Sequence, residues 1–181
     1  MSGDLAQPGD KILLSGKIGD HGMAILSQRE GLTFSAPIVS DTAALHELIA
    51  VMLDSGAKLR VLRDPTRGGL ATTLNEIAKQ SGVGMMLHES AIAINQPVEA
   101  ACEFLGLDPL YVANEGKLIA ICAAEDAQRL LEVMKTHPLA CEASIIGEVL
   151  EDAHCFVQMT TKMGGRRVVD WLAGEQLPRI C

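Results

Sequence analysis

Strand-like and helix-like stretches alternate along almost the whole chain, which predicts an α/β fold with helices packed against a sheet. Short apolar runs between turn residues, such as Leu118-Ile119-Ala120-Ile121-Cys122, have the length and content of buried strands. Other stretches place apolar residues at helical spacing, as in Leu45, Leu48, Ile49, Met52 and Leu53. At 181 residues the chain suits a single domain, and 48% hydrophobic with 3% aromatic content requires an aliphatic core.

In order, Pro8-Gly9-Asp10 makes a turn into a strand at Lys11 to Ser15. Gly19-Asp20-His21-Gly22 precedes a short helical run, Met23 to Gln28, which Asp20 is placed to cap, with His21 as a loop or capping residue. Ser40-Asp41 is expected to cap the helix that carries Leu45 to Leu53 and ends at Gly56. Leu59 to Leu62 reads as a strand. Leu70, Leu74, Ile77 and Ala78 then line one face of a helix over 70–80, which Gly82 closes. Met85 to Leu87 is a strand, and Pro97 opens a helix through Leu105 that Gly106 stops. After the strand at Leu118 to Cys122, Glu125-Asp126 begin a helix with Leu130, Leu131 and Met134 on one face. Ala143 to Val149 and Cys155 to Met159 are further strands, and Gly164-Gly165 turns into Arg166 to Val169. Residues 174–181 have no periodicity and read as a flexible tail behind a domain at 1–173.

A formal charge of −8 leaves no basic patch for nucleic acid. No apolar stretch reaches membrane-spanning length, and residues 1–10 lack the pattern of a signal peptide, so a cytoplasmic protein is expected. Five cysteines without a C-x-x-C pair argue against disulfides and structural zinc. Cys102, Cys122 and Cys155 read as small core residues; Cys181 differs because it is last.

The stretch with most chemistry is Arg63-Asp64-Pro65-Thr66-Arg67-Gly68-Gly69, between a strand and a helix. Two glycines and a helix N-terminus suit an oxyanion, and Arg67 can pair bidentately with phosphate. Asp64 can hold Mg²⁺ or cap the helix. An ordinary strand-to-helix turn, with Asp64-Pro65 starting the helix and Gly68-Gly69 easing packing, explains the same residues. Glu115, in Asn114-Glu115-Gly116 just before an apolar strand, is either a base or a turn carboxylate facing water. Cys181 is either a reaching thiol, with Arg179 as a docking charge, or a frayed end.

Four stretches carry a resemblance that spans nearly the whole chain: Gly19-Asp20-His21-Gly22-Met23-Ala24-Ile25-Leu26, Arg63 to Leu70, Leu107-Asp108-Pro109-Leu110-Tyr111-Val112-Ala113-Asn114-Glu115-Gly116-Lys117, and Gly165-Arg166-Arg167 continuing to Pro178-Arg179-Ile180-Cys181. They resemble the C-terminal domain of the HypE family, the carbamoyl dehydratases of hydrogenase maturation. Pro-Arg-Ile-Cys at the end is the most specific of them. The Asp64 loop is shared more widely, with aminoimidazole ribonucleotide synthetase, selenophosphate synthetase and thiamine-monophosphate kinase.

The resemblance implies a three-layer sandwich of a mixed sheet and helices, like the C-terminal domain of aminoimidazole ribonucleotide synthetase. It implies an N-terminal ATP-binding domain that also forms the homodimer and has no counterpart in these residues. It further implies that a carbamoyltransferase loads the Cys181 thiol, and that ATP with Mg²⁺ drives dehydration to a thiocyanate. Glu115 is then the base, and Asp64, Thr66, Arg67, Gly68 and Gly69 hold phosphate or metal. The cyano group is passed to an iron-carrying protein complex, for nickel–iron hydrogenase. A second reading makes the domain a carrier and docking module without nucleotide chemistry; a third, a related phosphotransferase, gives Cys181 no role.

Overall fold

The computed structural model describes residues 1–34 and 36–172, so the expected tail, with Arg179 and Cys181, lies outside the described residues. Seven strands are present: β1 (Lys11–Leu14), β2 (Leu59–Arg63), β3 (Gly84–His88), β4 (Ile119–Cys122), β5 (Ser144–Leu150), β6 (Val157–Thr160) and β7 (Arg166–Val168). They form one sheet in the order β2-β4-β1-β5-β3-β6-β7. Every pairing is antiparallel except β3 with β6, so the sheet is mixed, as expected.

Among the described residues there are five α-helices: α1 (Asp20–Glu30), α2 (His46–Asp54), α3 (Gly69–Ser81), α4 (Gln96–Leu105) and α5 (Ala127–Lys135). Strand alternation sorts the core into layers. Ile119 and Ile121 face Leu70, Leu74 and Ile77 of α3. Ala120 and Cys122, one residue out of phase, face Leu48 and Met52 of α2 and Leu130 and Met134 of α5. Because β4 is covered on both faces, its sequence is continuously apolar rather than alternating. A third cluster joins α1 and α4 through Met23, Leu26, Val98 and Cys102. The result is the three-layer sandwich.

Local signals were misleading at three places. Asp20 does not cap α1 but is its first residue, behind Gly19 at φ 90°. Ser40 and Asp41 do not cap α2, which starts at His46 behind Leu45 without a side-chain cap. Cys155 is outside β6, in a turn at φ 56°, half-buried rather than in the core. In the first two cases the polar side chains have long-range partners, and these outcompete a local cap.

Candidate functional site

The site is built on the eleven residues from Leu107 to Lys117, which run past the Gly19 turn and the Asp64 loop. Asp108 Oδ1 accepts from the Leu110 N–H at 3.0 Å and caps a 3₁₀ turn at Pro109–Tyr111. The chain then passes over the start of α3. Gly69 lies beneath it at φ 62°, and a Cβ there would stand 2.5 Å from the Leu110 carbonyl and 2.6 Å from that of Val112. Only glycine fits.

Asn114, completely buried, is the junction. Its Oδ1 accepts from the Gly19 N–H at 2.8 Å, and its Nδ2 donates to the carbonyls of Pro65 and Val112, both at 3.0 Å. Its backbone N–H also donates to Pro65, at 3.1 Å. One side chain therefore ties the Gly19 turn, the Asp64 loop and the Glu115 stretch together. The Gly22 N–H adds a bond to the Ala113 carbonyl at 3.0 Å. Gly116 packs against the Asp41 carbonyl with no room for a Cβ. Lys117 Nζ sits 2.5 Å from Asp41 Oδ2 in a largely buried ion pair, and Asp41 Oδ1 has no hydrogen-bond partner among the described residues.

The expected site residues fall into two groups. Asp64 and Arg67 are exposed, Thr66 and Glu115 are half-buried, and all lie in loops joined by Asn114. Among the described residues the side chains of Asp64, Arg67 and Glu115 have no hydrogen-bond or ion-pair partner. The nearby Arg63 and Arg60 do: Arg63 holds Glu76 at 2.9 Å and Arg60 reaches Asp10 at 3.3 Å. Asp64 does not start or cap α3, whose N-cap is Gly68 at φ 71° without a side-chain bond.

Gly68 and Gly69 form the other group. The Gly69 N–H already donates to the Thr66 carbonyl at 3.0 Å, and the space over Gly68 is filled by Thr72. These contacts pack the loop against the chain itself. The donors suited to phosphate are the Arg67 guanidinium and the Thr66 hydroxyl. Among the described residues no three His, Cys, Asp or Glu cluster as a metal site, so Asp64 offers a cation one isolated carboxylate.

Beside the Lys117–Asp41 pair opens a cleft of about 420 Å³ lined by Lys17, Asp20, Ser40, Asn95 and Cys141 among others. Burial pushes the Asp20 carboxyl above its ordinary range, against the opposing effect of Asn95 Nδ2, which donates to it at 2.7 Å. His21 Nδ1 lies 2.9 Å from Ser40 Oγ and 3.0 Å from Thr42 Oγ1, so this histidine braces the cleft wall. The described thiols include two unsuited to nucleophilic work at neutral pH. Burial pushes Cys102 up to about 11 and Cys122 up to about 12.

Neither the role of Asn114 nor the pairing of Asp41 with Lys117 is legible in the local sequence. Both join residues more than 45 positions apart, for which the local sequence carries no signal.

The profile of the AIR synthase related protein C-terminal domain matches residues 7–160. Carbamoyl dehydratase HypE of Azotobacter vinelandii is 68% identical over 181 residues, which is 100% of this chain and 53% of that protein. The fold is also that of a hydrogenase maturation protein HypE in complex with ATP, at 49% identity and TM-score 0.93, covering 99% of this chain and 55% of the other. A HypE–HypF complex gives 46% identity and TM-score 0.90 over 94% of this chain and 55% of the other. The chain thus spans about half the length of the relatives it matches. By residues 7–160, the chain belongs to the AIR synthase related proteins, as the C-terminal domain of that family.

Proposed function

We propose that this chain is the C-terminal part of an ATP-dependent carbamoyl dehydratase that supplies cyanide ligands for nickel–iron hydrogenase. The observation that carries the reading is the Asn114 junction. It bonds the Asp64 loop directly to the residue before Glu115, while Asp64, Arg67 and Glu115 stay unpartnered among the described residues. Around it stand the similarity to carbamoyl dehydratase HypE of Azotobacter vinelandii and the ATP complex of a HypE protein.

In this reading a carbamoyltransferase attaches a carbamoyl group to the Cys181 thiol. A HypE–HypF complex supports a partner of that kind. The carbamoyl oxygen is a poor leaving group, so it takes the terminal phosphoryl group of ATP, the second substrate; ADP and one N–H proton leave, and the oxygen becomes a phosphate ester. Thr66, Arg67, Gly68 and Gly69 would hold the phosphate, and Asp64 would hold Mg²⁺, which would offset the phosphate charge. Glu115 takes the remaining N–H proton as phosphate departs; carbon and nitrogen keep the electron pair, and the product is a thiocyanate on sulfur. Sulfur is a good nucleophile for loading and a workable leaving group when the cyano group passes to iron on a partner complex. Arg179 helps dock the tail. Among the described residues no helix is long and apolar enough to cross a membrane, and we place the reaction in the cytoplasm of a homodimeric full-length protein.

The test is intact mass of the full-length protein, beside its Cys181→Ala variant, after incubation with the carbamoyltransferase, carbamoyl phosphate and ATP. The parent alone should gain one carbamoyl group and then lose one water. A carbamoyl group that persists on the parent would favour a carrier without dehydratase chemistry. Equal modification of both proteins would remove Cys181 as acceptor.

A further inference from the structure

The stretch after β7 is held by side chains that its own packing does not require. β7 is a three-residue edge strand, exposed at every position. Yet Val169, just beyond it, is completely buried, and its carbonyl accepts from Asn75 Nδ2 at 2.8 Å. The next carbonyl, of Asp170, accepts from Tyr111 Oη at 2.9 Å. Arg167 Nη1 holds Asp108 Oδ2 at 2.7 Å, while the other carboxylate oxygen caps the 3₁₀ turn. Lys79 Nζ stands 5.9 Å over the Trp171 ring.

Asn75 makes the arrangement conspicuous. It lies buried in the middle of α3, where an aliphatic residue would serve core and helix better. Both hydrogens of its amide are used, one on the Ala71 carbonyl and one on Val169. Besides the Val157 carbonyl of β6, which accepts from the Val169 N–H at 2.8 Å, the holding side chains among the described residues come from two places. One is α3, which the Asp64 loop opens; the other is the turn that leads in four residues to Glu115. The same two elements thus present the site and grip the origin of the terminal segment.

The geometry points to Asn75, Tyr111 and the Asp108–Arg167 pair as positioning residues that register the root of the C-terminal segment to the Asp64 loop and Glu115. This rests on the function proposed above. Cys181 lies eleven residues beyond Asp170, a reach of at most about 36–40 Å, and Glu115 lies within about 14 Å of Tyr111 along the chain. Reach is ample, so the grip governs how often the thiol finds the site, not whether it can arrive. The grip therefore bears on where the segment that carries Cys181 begins and in which direction it leaves the sheet.

The experiment uses the full-length protein, loaded by the carbamoyltransferase and then started with ATP, with single-turnover conversion followed by intact mass. Tyr111→Phe, then Tyr111→Phe with Arg167→Gln, then both with Asn75→Ala, form a graded series, each checked by thermal melting. We expect the rate constant to fall in steps, to about a third or less in the triple variant, with the half-saturating ATP concentration within twofold of the parent. Arg167→Lys, which keeps a cation for Asp108, should retain more of the rate than Arg167→Gln. Unchanged rates in a folded triple variant would overturn the proposal. So would a half-saturating ATP concentration that rises with the loss of rate, because the residues would then act on the nucleotide site. If the parent itself shows no conversion, the functional reading fails first and this inference falls with it; a working parent separates the two.

Discussion

Asn114 shows how much one buried amide can organise. Its Oδ1 and Nδ2 serve Gly19, Pro65 and Val112 with no solvent to replace them. Asn114→Ala leaves the Gly19 N–H and the Val112 carbonyl without that partner, at about 1–3 kcal/mol for each buried group left unsatisfied. Urea unfolding should therefore show a loss of about 2–4 kcal/mol. Asp20 makes a prediction of opposite sign. Burial raises its carboxyl pKa in the folded state, above that in the unfolded chain. Such a group adds stability below its unfolded pKa, and that contribution is lost as pH rises through the folded one. At neutral pH the ionised, partly buried carboxylate is therefore a burden, and Asp20→Asn keeps an acceptor for Asn95 without the charge. The variant should melt above the parent at pH 7, and the gap should narrow as pH falls through the carboxylate range. A gap independent of pH would mean that the charge is not the cause.

Among the elements, the contact between α3 and the 3₁₀ turn is the one most dependent on a single position. Gly69 and Gly82 flank the same helix at nearly the same φ, 62° and 68°. Only Gly69 has backbone oxygens where a Cβ would go, and Gly82 has open space. Gly82→Ala should cost about 1–2 kcal/mol, the strain of a left-handed residue. Gly69→Ala carries that strain and must also push the turn away from α3, so its cost should be about twice as large or more, with backbone amides of 110–114 exchanging faster. Equal costs at the two positions would show that the turn yields freely. Helical spacing revealed the buried face of α3, because Leu70, Leu74, Ile77 and Ala78 recur every three to four residues. It could not reveal that Gly69 faces Leu110 and Val112, some forty positions away.

The expected site residues Asp64, Thr66, Arg67 and Glu115 lie where loops from distant parts of the chain meet, supported by a three-layer core. Glu115→Gln tests that division of labour. In the full-length protein it should leave carbamoylation of Cys181 intact and slow the later loss of water by about 10²- to 10⁴-fold, the usual contribution of a positioned base. Intact mass would show the carbamoyl form accumulating; undiminished conversion would take the base role from Glu115. The sequence by itself determined the α/β layering, the buried strand β4, the amphipathic helices and the ends of α3 and α4 at glycine. Each of these depends on periodicity or on one residue's backbone freedom, and both are local properties. It also marked Asp64, Thr66, Arg67, Glu115 and Cys181 through motifs. Only the tertiary structure decided that Asn114 joins the Gly19 turn, the Asp64 loop and the Glu115 stretch, that Asp41 pairs with Lys117 instead of capping α2, and that Gly69 packs under the Leu110 and Val112 carbonyls. The reason is physical: a buried polar group takes whichever partner the folded chain brings within hydrogen-bond distance, and that partner's place in the sequence is set by topology.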